Sequence, residues 1–169
     1  QLGTLTAEQI VALTTAQVAA LGTAQIAALQ TDDVASLTTA SVGALSTNQV
    51  SKGLTTDQVA ALTSDQVTAL TTAQVKALTT TQMGKFSAEQ VAMFSSETAN
   101  NQIAALSGAQ IGAMSGDQVA GLTTTQVASL ATTALGYLST AAIKGLSTSQ
   151  VVAMTTAQLS SMSSTNIQV

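Results

Sequence analysis

The feature that most constrains this chain is a period of eight. A large apolar residue recurs at Leu5, Leu13, Leu21, Leu29, Leu37 and Leu45, and after one extra residue the series resumes at Leu54, Leu62, Leu70, Leu78, Phe86 and Phe94. After four more residues it continues at Leu106, Met114, Leu122, Leu130, Leu138, Leu146, Met154 and Met162. These residues open twenty octads of the form Leu-Thr-Thr-x-Gln-Val-x-x, with a second apolar residue at position six from Ile10 and Val18 to Leu159 and Ile167. One long helix cannot hold this pattern. Eight steps of about 100° leave roughly 80° of offset, so the stripe would spiral around the helix. A plain strand would send positions one and six to opposite faces. A buried parallel β-solenoid tolerates that and stands as the alternative.

The octad reads better as a helix start written repeatedly. Position two is Ser or Thr in all but Gly22, Gln30 and Ala131, which suits an N-cap. Gln at position five then falls at N3 and completes a capping box, while positions one and six become the N′ and N4 partners of a hydrophobic staple. The charges agree with this register. Glu8, Asp32, Asp57, Asp65, Glu89, Glu97 and Asp117 occupy position four and Asp33 position five, whereas Lys76 and Lys144 occupy position seven and Lys52 and Lys85 position eight. Acids early and bases late are what the helix dipole favours.

Each octad therefore carries a helix of roughly six residues, about 9 Å long. That is far below the ~12–15 residues that make an isolated helix marginally stable. Such helices hold only by stacking on one another, with two large apolar side chains per octad contributing ~1.5–3 kcal/mol each on full burial. The expected fold is an all-α solenoid of about twenty very short helices, forming a single unit over residues 1–169. Nothing in the sequence sets the number of octads per turn, since no 16- or 24-residue super-period overlies the octad.

Two irregularities interrupt the array. The first, at 52–53, is the extra residue Gly53, for which a left-handed position past a helix end is the usual role. The second, at 95–102, adds four residues, read either as one more turn of helix or as a surface loop around Asn100 and Asn101. Phe86 and Phe94 stand directly before it.

Composition narrows the function. The chain has no His, Cys, Trp or Pro, its four basic residues are all Lys, and its net charge is −4. Without His or Cys the usual zinc, haem and iron–sulfur ligand sets are missing, as are Ser-His-Asp and Cys-His catalysis. An acidic chain without Arg argues against nucleic acid as a partner. No apolar run reaches the roughly 18 residues of a membrane span. The adjacent pair Asp32-Asp33 invites a calcium reading, but no Asp-x-Asp loop accompanies it, so first-turn acids explain it better. Gly108, Gly112 and Gly116 form overlapping GxxxG patterns, which here point to tight packing. We expect no enzyme activity, no catalytic or metal-binding residue, no cofactor and no small-molecule substrate.

One position has no structural reason in this scheme. Position three is Thr in thirteen octads: Thr15, Thr23, Thr31, Thr39, Thr47, Thr56, Thr72, Thr80, Thr124, Thr132, Thr140, Thr148 and Thr156. At N1 these side chains should point outward, as a ladder of hydroxyls and methyls along one side of the rod. Such a ladder could bond a neighbouring rod, carry sugars, or order water against ice.

The phrases "LTTAQVAAL" (13–21), "LTTDQVAAL" (54–62) and "LSTSQVVAM" (146–154) resemble the octapeptide repeats of very large bacterial extracellular proteins that carry haem-utilisation or adhesion labels. The resemblance implies a secreted or surface-attached bacterial protein, although the His and Cys ligands a haem would need are absent. A start at Gln1 and a close in the octad holding Ile167 suggest either a segment of a longer array or ends that stack on other copies. The function expected is structural: a self-associating extracellular fibre, sheath or surface filament, or the stalk of a giant adhesin. Its partners would be copies of itself, head-to-tail and also laterally. The alternative is a module that binds ice or carbohydrate through the Thr ladder.

Overall fold

The structure, a computed structural model, describes residues 5–162. The last octad, with Ser163 and Ile167, lies outside the described residues. Short α-helices run from Ala7–Val11 to Thr156–Ser161, joined by a π-helical segment at Gln49–Gly53 and a 3₁₀ turn at Thr98–Asn100. No strand occurs among the described residues, so the β-solenoid alternative falls. The helices have four to six residues each, one per octad, and the fold is an all-α repeat solenoid.

The local cause is the capping box. At Thr63, for example, the backbone is extended at φ −73° and ψ 161°. The Thr63 hydroxyl accepts the Gln66 N–H at 3.2 Å, and Gln66 Oε1 accepts the Thr63 N–H at 3.0 Å. The same reciprocal pair forms from Thr6–Gln9 to Thr155–Gln158. Where position two lacks a hydroxyl, at Gly22, Gln30 and Ala131, no side-chain cap forms. Gln25 Oε1 and Asp33 Oδ2 still accept the backbone N–H of Gly22 and Gln30, at 2.8 and 2.9 Å. The acids Glu8, Asp57, Asp65 and Asp117 lie in first turns, and Lys52, Lys76 and Lys144 in last turns. Lys85 instead falls beyond the helix Thr80–Met83, and Glu97 precedes the 3₁₀ turn.

Tertiary structure sets the number of octads per turn. Ala7–Val11 packs on Thr31–Ser36, Thr15–Ala19 on Thr39–Gly43, and Thr23–Ala27 on Gln49–Gly53. This relation, each helix on the one three octads later, holds along the whole described chain. Three octads therefore make one turn of a three-sided rod. Roughly six turns spaced by about 8–10 Å give a length on the order of 50–60 Å. Positions one and six of all three sides meet in one continuous core, from Ile10 to Met154. Phe86 and Phe94 take part in it, edge to face with ring centroids 5.3 Å apart.

Glutamine ties successive turns together. Its Oε1 closes the cap within its own octad, which leaves the Nε2 donors free to reach the turn before. Gln66 Nε2 donates to Val34 O at 2.9 Å and to Leu37 O at 2.7 Å. Gln74 reaches Val42 and Leu45, Gln82 reaches Val50 and Leu54, and Gln118 reaches Met83 and Phe86, all at 2.7–2.9 Å. The amide is buried, so every one of its donors and acceptors needs a partner. Here each amide serves as a clamp between layers.

Both irregularities are absorbed without breaking the stack. Gly53 does not adopt a left-handed conformation, and no described residue has positive φ. The extra residue widens one helix locally into a π-helix, with the Leu54 N–H donating to Gln49 O at 2.9 Å. Glycine suits this place because a Cβ would lie 3.2 Å from Ile26 Cβ on the turn beneath. The four-residue insertion is a surface loop, not a longer helix. The Ser95 N–H donates to Gln102 Oε1 at 2.6 Å, so Gln102 takes the position-five role across the loop. Ile103 returns fully buried, and Asn101 Oδ1 caps Gln102–Ala105 by accepting the Ala104 N–H at 2.9 Å.

Candidate functional site

The surfaces that could carry function are the three corners, the loop at 95–101 and the two ends. Threonine at position three begins each helix, next to the corner where the chain changes direction. Eleven of the thirteen are exposed, while Thr23 and Thr56 are half-buried. Three octads per turn distribute them over three columns instead of one ladder. Thr31, Thr56, Thr80, Thr132 and Thr156 share one side, with Gly108 interrupting the series. Thr23, Thr47, Thr72, Thr124 and Thr148 share the second, and Thr15, Thr39 and Thr140 the third. The single-sided ladder is thereby corrected, because a residue's stacking neighbour is the one three octads away.

The acid pair separates into two environments. Asp32 is exposed, whereas Asp33 is buried and uses its carboxylate in place of glutamine to accept the Gln30 N–H. Among the described residues no group of three His, Cys, Asp or Glu side chains gathers around a point. Likewise no described helix is long and apolar enough to cross a membrane. Glu89, fully exposed in its first turn, has its carboxyl held below the ordinary Glu range by its own backbone N–H and then by the Ser87 hydroxyl.

The GxxxG run is a packing device. A Cβ at Gly108 would lie 2.4 Å from the Tyr137 ring, and one at Gly112 would lie 2.9 Å from Tyr137 O. Tyr137 thus lies across two glycines of the turn beneath while remaining 63% exposed. Beside the inserted loop, Thr68, Met93, Ser95, Glu97, Thr123 and Thr125 line an open cleft of about 600 Å³.

The ends differ from each other chemically. In the first turn Leu5, Leu13 and Leu21 are only half-buried, but Ile10, Val18 and Ile26 beside them are fully buried. Near the last turn this inverts: Met154 is buried, while Val151 is 42% and Leu159 40% exposed. Position one therefore packs toward the preceding turn and position six toward the following one. The polar groups follow the same logic. Gln9, Gln17 and Gln25 keep their caps but are exposed, and no bond from their Nε2 groups forms among the described residues. Sequence reasoning missed these three glutamines because position five is alike in first and interior turns. Only the count of octads per turn separates them.

No curated protein and no solved structure matches the chain. The model of the ALTTAQ repeat matches residues 1–31, 26–64, 52–76, 64–96, 99–132 and 127–164. Its motif is spelled in full at Ala12–Gln17 and again at Ala69–Gln74. With nearly every octad covered by that model, the chain belongs to the ALTTAQ repeat family.

Proposed function

We propose that the chain is a structural, self-associating rod: a subunit of an extracellular fibre, sheath or surface filament, or part of the stalk of a giant adhesin, at the surface of a bacterium. The observation that carries this is the uniformity of the contact between turns. Clamps from Gln49 to Gln126 join each turn to the previous one in the same way, so each turn offers its successor the surface it was itself offered. A heterologous contact of that kind does not close on itself and generates filaments. The low surface charge also permits lateral packing. No catalytic, cofactor or nucleic-acid role belongs to this proposal.

Electron microscopy and light scattering of the purified chain over a wide concentration range test it. Unbranched fibres or bundles are expected. A monodisperse monomer at every concentration, with no fibres, would overturn the proposal. Recurrence of exposed threonines at the same corner in successive turns supports a second reading, a module that binds ice or carbohydrate. Thermal hysteresis or glycan binding that disappears on substituting Thr47, Thr72 and Thr124 by Lys would favour it over the fibre.

A further inference from the structure

We infer that two copies of this chain pair side by side and antiparallel along one corner of the rod, the acidic half of each corner against the lysine half of the other. The inference rests on the self-association proposed above, names a lateral contact for it, and does not need the ends to join. It starts from where the charges fall once three octads make a turn. The helix dipole explains why acids come early in an octad, but it is alike in every octad and cannot choose among the three sides. Glu8, Asp32 and Asp57 nevertheless stack on consecutive turns of the side that carries Thr31 and Thr56. Asp65, Glu89 and Asp117 do the same on the side of Thr15 and Thr39. Lys52 and Lys76 stack late in helices of the side of Thr47 and Thr72. Turns about 8–10 Å apart lie within roughly one Debye length at physiological salt, so each stack repels itself. Among the described residues none of the four lysines makes an ion pair or a side-chain hydrogen bond. A single rod thus segregates opposite charges and relieves neither.

One corner brings both signs onto a single edge. There the helices of the Thr47 side end and those of the Thr31 side begin. Its successive levels carry Glu8, then Asp32, then Lys52 with Asp57, then Lys76, all of them exposed. Turned end for end, this order is complementary to itself. About a two-fold axis between the second and third levels, Glu8 of each copy faces Lys76 of the other, and Asp32 faces Lys52. The spacing agrees because both edges are the same edge, as an isologous contact requires. A parallel pair staggered by two levels would form only half as many facing pairs. Thr6, Thr31, Thr55 and Thr80 fill out the edge, exposed and short, so the rods can approach until the longer charged groups meet. Asp57 is the charge left over. Complementary charge of this kind fixes the orientation of partners and makes their association sensitive to salt.

The test combines sedimentation of the full 169-residue chain with two charge-reversed variants, E8K/D32K and K52E/K76E. The parent should pair at low salt, with a dissociation constant at least roughly tenfold higher at about 0.5 M than at about 0.05 M salt. Either variant alone gives the facing groups one sign and should stay monomeric. Mixed in equal amounts, the two regain every facing pair and should associate at low salt, which also shows that both fold. Carbodiimide coupling of mixed isotope-labelled and unlabelled parent chain, read by mass spectrometry, should join Glu8 to Lys76 and Asp32 to Lys52 between copies. Joints from Glu8 to Lys52 and from Asp32 to Lys76 between copies would overturn the antiparallel register. A parent that stays monomeric or pairs regardless of salt, or variants that pair alone or fail to pair when mixed, would overturn the contact itself. Fibres that form regardless of salt and charge reversal would leave the fibre proposal standing without this contact. Salt-sensitive pairs without fibres would do the reverse.

Discussion

The middle of the rod and the stretch near its C-terminal end solve the same stacking problem by different means. From Gln49 to Gln126 every octad supplies a buried glutamine that clamps it to the turn before. In the two octads opened by Leu130 and Leu138, position five is Ala134 and Ala142, and no clamp forms. There the turns meet through glycine. A Cβ at Gly116 would lie 3.0 Å from Ala141 O, and one at Gly145 only 2.6 Å from Gly116 O. With Gly108 and Gly112 under Tyr137, four glycines let backbone approach backbone closely where side-chain amides are missing. Polar clamping and close backbone packing are thus interchangeable within one periodic fold. They are not mutually exclusive, because a Cβ at Gly121 would lie 2.8 Å from Ala88 O in an octad whose Gln118 is still a clamp.

The largest effect should come from turning a clamp into a repulsion. Gln74→Glu aims a carboxylate at the carbonyls of Val42 and Leu45 in a buried site. It should cost about 3–5 kcal/mol by denaturant unfolding. The same substitution at exposed Gln17 should change stability by no more than about 0.5 kcal/mol. Burial would raise the new carboxyl's pKa, so the loss at position 74 should shrink as pH falls. Equal effects at both sites would break the distinction between clamping and capping.

Next in size are the glycines of the unclamped turns. Gly145→Ala must displace backbone and should cost about 1–3 kcal/mol. Gly136→Ala, whose new Cβ would meet nothing closer than 3.5 Å, should be neutral or stabilising by up to about 1 kcal/mol. Thermal melts of the two variants separate close packing from mere helix propensity. A smaller gain is expected from Ala142→Gln, which restores both a cap acceptor and donors for the carbonyls beneath. The gain should be about 1 kcal/mol in chemical denaturation, on the precedent of Gln118 beside Gly121. A loss instead would show that the glycine-packed turns have closed the space a clamp requires.

The smallest expected effect belongs to Glu89. Its folded pKa is depressed, so its contribution is in place above the free-Glu value of about 4.3 and is lost as pH falls through the lower folded value. Carboxyl NMR should find the Glu89 midpoint below that of unfolded chain. Ser87→Ala should move it upward, since the hydroxyl is one of the two groups that lower it.

Much of the local structure was legible before any fold was known. Thr63, Gln66 and Val67 announce cap, box and staple from their spacing alone, because those interactions span no more than four residues. The insertion was visible as an interruption, but its form was not. Whether four residues extend a helix or loop out depends on Gln102 finding the Ser95 N–H from seven residues away. Gly53 was misread for a similar reason. A glycine after a helix fits a left-handed cap locally, whereas here proximity to Ile26 on another turn dictates it.

The sequence by itself determined the repeat unit, its helical state, its capping chemistry and the apolar identity of positions one and six, all of which are settled within a single octad. Only the tertiary structure decided that three octads complete a turn, that the threonines divide among three columns, and that the position-five glutamines from Gln49 onward have a second set of bonds. The physical reason is that every octad carries nearly the same residues. No core or capping side chain varies with the 24-residue turn, and the acids that follow it are too few to mark it. The partners of Gln58 Nε2, Ile26 and Leu29, lie 32 and 29 residues away and become its neighbours only when the turns are stacked.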